Sequence, residues 1–169
     1  MKLSGPQRLA WLAALIDGEG SIMLNKRTFS EKARAIRRRS THYRAVVSIC
    51  NTDARLFVEL TTQTNISRIY CHRVNGAATT LMKRQMWTWR MANDDIREWL
   101  PKIRPFLVMK GEQADLLLEA LDIKDQMVPG KVGFLPVNRV LLSARLTEIY
   151  EKIRKLNTRG RVALGELDA

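Results

Sequence analysis

Residues 12–20 read Leu-Ala-Ala-Leu-Ile-Asp-Gly-Glu-Gly and are followed by Ser21-Ile22. Apolar residues at helical spacing lead into this segment, and the glycines within it predict that the helix ends here. The last turn carries two acids, Asp17 and Glu19. A carboxylate at a helix C-terminus faces the negative end of the dipole, which costs a few tenths to about 1 kcal/mol. A bound divalent cation would remove that cost, because hard cations prefer carboxylate and carbonyl oxygens.

The rest of the chain predicts an α+β fold around this helix. Pattern and turn signals give the order helix, strand, strand, helix, strand, strand, then further helices. Ser4-Gly5-Pro6 predicts the first helix start, Asn51-Thr52-Asp53 caps the second helix, and Asn75-Gly76 predicts a hairpin turn. This mixed α/β order, αββαββα with extra C-terminal helices, favours a four-stranded antiparallel sheet with helices on one face.

The element boundaries follow from the same signals. The predicted strands are 21–28, 41–50, 66–74 and 79–91, and the later helices begin at 93, ending before Pro101 or Pro105, and cover 110–125 and 137–157. We expect one domain over residues 1–157 and a flexible tail over 158–169.

Positive charge is concentrated in two segments. The chain carries a net charge of +12, of which residues 26–44 supply +7 and residues 66–90 supply +5. Both segments fall on the strand pairs, whereas the other 125 residues carry 16 basic and 16 acidic side chains. A solvated surface normally mixes the signs, so this segregation indicates a face that binds a polyanion, with a basic surface that has no specific partner as the alternative.

Composition excludes several classes of protein. Hydrophobic residues make up 46% of the 169 residues, which excludes disorder, and no apolar run approaches the roughly eighteen residues that span a bilayer. The two cysteines exclude a disulfide scaffold and, without CxxC or HxxxH spacing, make zinc unattractive. We expect no membrane partner and an intracellular, reducing compartment, the cytoplasm of a prokaryote or an organelle, without secretion.

The motif closely resembles the signature of the LAGLIDADG homing endonucleases and differs from it at three of nine positions. Val47–Asp53 resembles the end of that family's second strand, and Arg104–Lys110 resembles the segment that carries its active-site lysine. The order of helices and strands agrees over about residues 7–125. One copy of the motif is present, and single-motif members of the family act as homodimers.

The resemblance implies the roles of several residues. Glu19 would be catalytic and bind the metal together with the carbonyl of Gly18, and Lys110 would be the active-site lysine. Asn51 and Arg55 would lie around the same pocket. A helix-capping role for Asn51 and an ordinary surface role for the two cations remain alternatives.

Small residues on the first helix suggest how two copies would meet. Ala10, Ala13, Ala14 and Asp17 recur at helical spacing, which would let two such helices approach closely. We expect them at a dimer interface, with ordinary core packing as the alternative.

Strand parity predicts which residues face DNA. Trp87, Trp89 and Met91 share one parity and should cover the core, with stacking on bases as the alternative. The opposite parity and the basic loop give the expected DNA-binding residues: Ser21, Met23, Asn25, Arg27, Arg37, Arg38, Arg39, His42, Arg44, Val46, Ser48, Arg68, Tyr70, His72, Arg84, Met86, Thr88 and Arg90.

The resemblance thus predicts a divalent-metal-dependent endodeoxyribonuclease. It would cut a long pseudo-palindromic site in double-stranded DNA and leave 3′ overhangs. Mg²⁺ is the expected cofactor, with Mn²⁺ as a substitute and Ca²⁺ binding without efficient cleavage. The alternatives on the same fold are an RNA maturase that binds its host intron RNA and a DNA-binding regulator that does not cleave.

Overall fold

A computed structural model of the chain describes residues 3–27, 42–74, 84–127 and 136–162. Its elements follow the expected order: α1 (Gly5–Glu19), β1 (Gly20–Arg27), β2 (His42–Asn51), α2 (Ala54–Thr64), β3 (Ile69–Val74), β4 (Arg84–Met91), α3 (Asn93–Ile103), a 3₁₀ turn (Arg104–Phe106), α4 (Gly111–Gln126) and α5 (Pro136–Val162). This is the mixed α/β fold that the sequence predicted.

Helix α1 begins where its cap residues predict. The side-chain Oε1 of Gln7 accepts hydrogen bonds from the backbone N–H of Ser4 at 3.3 Å and from its hydroxyl at 2.8 Å. Pro6 lies in the first turn, where its missing N–H is not needed. Leu12, Ala13 and Ile16 face inward and are fully buried.

The four strands form one sheet in the order β1-β2-β4-β3. Strand β4 pairs antiparallel with both β2 and β3, and its register places Trp89 between Ile49 and Ile69. Trp89 is fully buried and its indole N–H donates to the carbonyl of Ile66 at 3.0 Å. The tryptophan parity therefore faces the core, as predicted, and the opposite parity forms the other face of the sheet.

Two helix ends can be compared with the predicted ones. Helix α3 continues through Pro101 and ends at Ile103, so the second of the two predicted ends is confirmed. Helix α5 continues to Val162, so residues 158–162 are helical where a tail was expected. The predicted Asn75-Gly76 turn lies outside the described residues.

The chain divides into two compact units. Unit 1 comprises Met1–Ser21 and Val46–Gly111, and its buried side chains include Leu12, Leu60 and Leu100. Unit 2 comprises Ile22–Ala45 and Glu112–Ala169. The single-domain boundary at residue 157 stays a prediction.

Unit 2 carries its own core and its own polar contacts. Ile22, Leu117 and Ile149 are fully buried, and the Tyr43 hydroxyl lies 2.7 Å from that of Thr147. In the part of the chain that the structure describes, no helix is long and apolar enough to span a membrane.

Candidate active site and nucleic-acid interface

Glu19 is the last residue of α1 and its side chain is exposed. Its carboxylate makes no hydrogen bond or ion pair with the described residues. A Cβ added at the neighbouring Gly18 would meet nothing within 4 Å, so the space beside Glu19 is open as well. The helix therefore ends in an accessible carboxylate that its own chain does not neutralise.

Asp17 binds the segment that precedes α4. Its Oδ2 accepts hydrogen bonds from the backbone N–H of Val108 at 2.7 Å and of Met109 at 3.2 Å, and its Oδ1 accepts one from that of Lys110 at 2.9 Å. One carboxylate thus satisfies three successive N–H groups. Asp17 was assigned to a dimer interface, but here its side chain is used within the chain.

Lys110 reciprocates this contact. Its Nζ donates to the carbonyl oxygens of Ile16 at 2.9 Å and Asp17 at 2.5 Å, which are among the last carbonyls of α1. Burial lowers the pKa of Lys110, and the nearby charge of Asp17 partly opposes that shift. The ammonium offsets part of the negative charge at this helix end, and these contacts place Lys110 at the same end of α1 as Glu19.

The last glycine of the motif has a steric reason. A Cβ added at Gly20 would lie 2.6 Å from the Cα and 2.7 Å from the carbonyl oxygen of Ile16. The backbone of Gly20 is extended, with φ −92° and ψ 171°, so the constraint is close approach rather than a left-handed conformation. The turn from α1 into β1 therefore needs glycine.

One chain supplies few metal ligands at this end. No group of three or more His, Cys, Asp or Glu side chains that could hold a metal occurs among the described residues. The exposed Glu19 carboxylate and the Gly18 carbonyl are ligand types that hard divalent cations accept. The donor set fits such a cation if the remaining ligands come from outside the chain.

The exposed face of α1 consists of small residues. Ala10, Ala14 and Gly18 are exposed at spacings of four, so a second helix could approach closely along this line. Ala13 is fully buried in its own chain, and its assignment to a dimer interface is therefore wrong. Helical spacing alone did not separate the two faces, because alanine fits both.

Asn51 and Arg55 gather around Asp53 rather than around Glu19. The Asn51 Oδ1 accepts from the Asp53 N–H at 2.9 Å, and the Asp53 carboxylate caps α2 by accepting from the Arg55 N–H at 2.9 Å. The Arg55 guanidinium also binds both carboxylate oxygens, and these bonds hold the pKa of Asp53 at about 2. These contacts match the capping alternative, and among the described residues none joins this group to Glu19 or Lys110.

In unit 1, the open face of the sheet carries Tyr70, His72 and Arg90 as exposed side chains, with Met86 half-buried. Ser48 and Thr88 lie on the same face, but only 4% and 2% of their surfaces are exposed. Thr88 lies on an inner strand with its hydroxyl 3.3 Å from the sulfur of Cys50. The assignment of Ser48 and Thr88 as DNA-contacting residues is therefore wrong for the free chain.

Arg68 also departs from the predicted pattern. Strand β3 begins at Ile69, so Arg68 lies just before the strand. The guanidinium of Arg68 pairs with the carboxylate of Asp95 in the first turn of α3. The same carboxylate accepts a hydrogen bond from the N–H of Ala92 at 2.7 Å. The structure thus gives Arg68 a helix-anchoring contact.

In unit 2, Asn25, Arg27, His42 and Arg44 are exposed along β1 and β2. Met23 is half-buried and Val46, at the start of the unit 1 part of β2, is buried, as is usual toward the centre of a sheet. Partial burial lowers the pKa of His42, and the positive charges of Lys124, Arg44 and Arg27 lower it further. Ser21, in unit 1, is half-buried, while Arg37, Arg38, Arg39 and the side chain of Arg84 lie outside the described residues.

Two apolar residues beside the helix end were not predicted as functional. Val108 is 90% exposed and Met109 is 72% exposed, although their backbone N–H groups are held by Asp17. Apolar side chains fixed in an exposed position often mark a contact surface. Their sequence signal is weak, because an apolar pair after Phe106-Leu107 also fits a buried turn.

Solved structures with the same fold are homing endonucleases. I-CvuI, solved with its DNA target in calcium, has a TM-score of 0.63 and 13% identity over 89% of this chain and 82% of its own. The archaeal intron-encoded I-Vdi141I, complexed with DNA, has a TM-score of 0.62 and 13% identity over 88% and 83%. The LAGLIDADG homing endonuclease I-GzeII, in complex with its DNA target, has a TM-score of 0.55 and 16% identity over 84% and 43%.

The chain has the LAGLIDADG homing endonuclease fold. No protein-family model matches the sequence, and no curated protein does either. The matched LAGLIDADG-fold structures differ in length, so that this chain spans about four fifths of I-CvuI but under half of I-GzeII.

Proposed function

We propose that this protein is a homing endonuclease that cuts double-stranded DNA at a specific site. The observation that carries the proposal is the exposed, unneutralised carboxylate of Glu19 at the end of α1, within a motif that resembles LAGLIDADG. The fold and the concentration of positive charge on the strand segments support the same conclusion.

In the proposed site, Glu19 and the Gly18 carbonyl would hold a divalent cation. Such a cation would supply Lewis-acid chemistry, lowering the pKa of a bound water and stabilising charge on the scissile phosphate. Asp17 has a positioning role, because its carboxylate holds the backbone N–H groups of residues 108–110 against the end of α1. We limit the proposed catalytic set to Glu19 and Lys110, since Asn51 and Arg55 are engaged with Asp53.

We further propose that two copies of the chain form the active enzyme. The exposed residues Ala10, Ala14 and Gly18 are small enough for two α1 helices to pack closely along this line. Val108 and Met109 extend the apolar surface beside it. Each copy brings one Glu19, and the chain corresponds to under half of the longer I-GzeII. A two-fold dimer reads a pseudo-palindromic site.

Mg²⁺ is the proposed cofactor and Mn²⁺ its substitute, with Ca²⁺ supporting binding. The crystal structure of I-CvuI with its target was obtained in the presence of calcium, and this supports the use of a divalent cation by proteins with this fold. Cleavage that leaves 3′ overhangs is proposed from the resemblance of the motif.

The test is cleavage of a plasmid library that carries randomised inserts, followed by sequencing of the cut ends. The wild-type chain in Mg²⁺ should cut a narrow set of sequences, and Glu19→Gln should abolish cutting while DNA affinity stays within a few-fold. Glu151→Gln is the matched control, because Glu151 is an exposed carboxylate on α5. If Glu19→Gln cuts as fast as the wild type, the metal assignment is wrong, and binding without any cleavage would identify a regulator instead.

A further inference from the structure

Arg90 and Tyr70 form a cation–π pair on the open face of the sheet in unit 1. The guanidinium carbon of Arg90, on β4, lies 5.1 Å from the centre of the Tyr70 ring, on β3. Tyr70 pairs directly with Thr88, so it contacts Arg90 from the diagonal position. An arginine over an aromatic face within about 6 Å is attracted to it, and this attraction favours one placement of the guanidinium.

The side chains next to this pair are short and buried. Ser48, on β2, pairs with Arg90 on β4 and is 4% exposed, and Thr88 is 2% exposed. Arg90 is exposed, and no carboxylate of the described residues pairs with it. The guanidinium of Arg90 therefore projects beyond the short side chains of its neighbours in the sheet.

We propose that Tyr70 is a positioning residue that holds Arg90 to read one guanine in each half of the DNA target. This inference rests on the proposed function. A guanidinium presents two parallel N–H donors, which match the O6 and N7 acceptors of guanine in the major groove. A guanidinium held over one ring favours that geometry, whereas a phosphate contact needs only charge. Two residues thus set this specificity: Arg90 contacts the base, and Tyr70 acts through Arg90.

Two substitutions separate the ring of Tyr70 from its hydroxyl. The hydroxyl makes no hydrogen bond within the described residues, so it is free to contact DNA itself. Tyr70→Phe keeps the ring under Arg90 and removes the hydroxyl. Tyr70→Leu removes the ring and keeps an apolar side chain at a position that is 47% exposed, and Tyr70→Thr repeats that test with a strand-favouring residue if the leucine variant unfolds.

The experiment selects preferred duplexes from a randomised pool with the wild-type chain. Equilibrium binding is then measured for every single base-pair change in the selected site. Arg90→Ala should lower the preference for guanine at one position of each half-site by about 5- to 150-fold. Tyr70→Leu should lower the preference at that same position by about two- to fivefold, and Tyr70→Phe should keep it. In the Arg90→Ala background, Tyr70→Leu should have no further effect there.

Several results would overturn the inference. Loss of preference in Tyr70→Phe would mean that the hydroxyl contacts DNA. An unchanged base profile in Tyr70→Leu, with a selected site intact in the wild type, would refute the positioning role while leaving the endonuclease proposal standing. If the wild type selects no sequence at all, both proposals fail. Arg154→Ala, on α5, removes the same charge and should leave every base preference unchanged.

Discussion

At the scale of single residues, Asp17 and Lys110 lie 93 residues apart in sequence, and the side chain of each forms a hydrogen bond with the backbone of the other. The sequence predicted that Lys110 would lie near Glu19, but only through the resemblance. It could not predict that Asp17 binds three N–H groups of residues 108–110, because no local pattern links a carboxylate to a loop so distant in the chain. Capping by Asp53 and Asn51 was predictable, since those contacts span two residues.

The contacts of Lys110 make its removal a test of helix capping. Lys110→Met takes away the cation at the end of α1 and leaves the negative end of the dipole beside Asp17 and Glu19. We expect a loss of about 1–2 kcal/mol in the free energy of unfolding, measured by urea denaturation. The control Lys102→Met removes an exposed lysine of α3 and should have a smaller effect. An unchanged stability would mean that the ammonium does not support the helix end in solution.

His42 predicts a dependence of stability on pH. Burial and the cations of Lys124, Arg44 and Arg27 lower its pKa in the folded chain below the unfolded value of about 6.5. The unfolded state therefore binds more protons, and stability falls as the pH drops from about 6.5 toward the folded pKa. Thermal unfolding between about pH 7.5 and 5 should show this fall in the wild type and less of it in His42→Gln. Equal curves would contradict it, and His72→Gln serves as the control.

At the scale of elements, α1 has two faces that its alanines do not distinguish in sequence. Ala13 faces the core and Ala14 faces outward. Ala13→Leu should lower the free energy of unfolding by about 1–3 kcal/mol through overpacking. Ala14→Leu should leave it nearly unchanged and weaken self-association, measured by sedimentation velocity. A wild-type chain that is monomeric at micromolar concentration, or an Ala14→Leu dimer as tight as the wild type, would refute the proposed interface.

The strands show where sequence periodicity succeeds and where it stops. Alternation correctly assigned Trp89 to the core and Arg90 to the open face, because side chains of a strand point to opposite sides. It did not predict that Ser48 and Thr88 would be buried on the open face. Burial there depends on neighbouring strands and on longer side chains beside a short one, which a two-residue period does not contain.

At the scale of the whole molecule, the distribution of charge carries functional information that the fold does not. The homing endonuclease fold is shared by chains with 13–16% identity to this one, so the fold leaves the DNA-contacting residues open. The net charge of +12 is supplied by residues 26–44 and 66–90, while the other 125 residues carry 16 basic and 16 acidic side chains. The proposed division is that Arg37, Arg38 and Arg39 bind phosphates and strand residues read bases.

This division predicts the salt dependence of binding. Arg37, Arg38 and Arg39 are three consecutive cations, and we expect them to contact phosphates, because phosphate binding requires positive charge rather than the geometry of one base edge. A cation that binds a phosphate releases counterions, so the slope of log K against log salt should flatten by about 0.9 for each phosphate that the variant no longer neutralises. Changing all three to alanine should weaken binding to every sequence equally, measured by anisotropy between about 50 and 200 mM salt.

A matched control separates this effect from net charge. Replacing Lys152, Arg154 and Lys155 by alanine removes the same three charges from the exposed side of α5. If phosphate binding rather than total charge determines the slope, this control should bind with nearly the wild-type slope, because Lys152 and Arg154 already pair with Glu148 and Glu151. A loop variant that keeps its slope but loses preference at particular base pairs would make residues 37–39 the readers, and the roles of loop and strands would be exchanged.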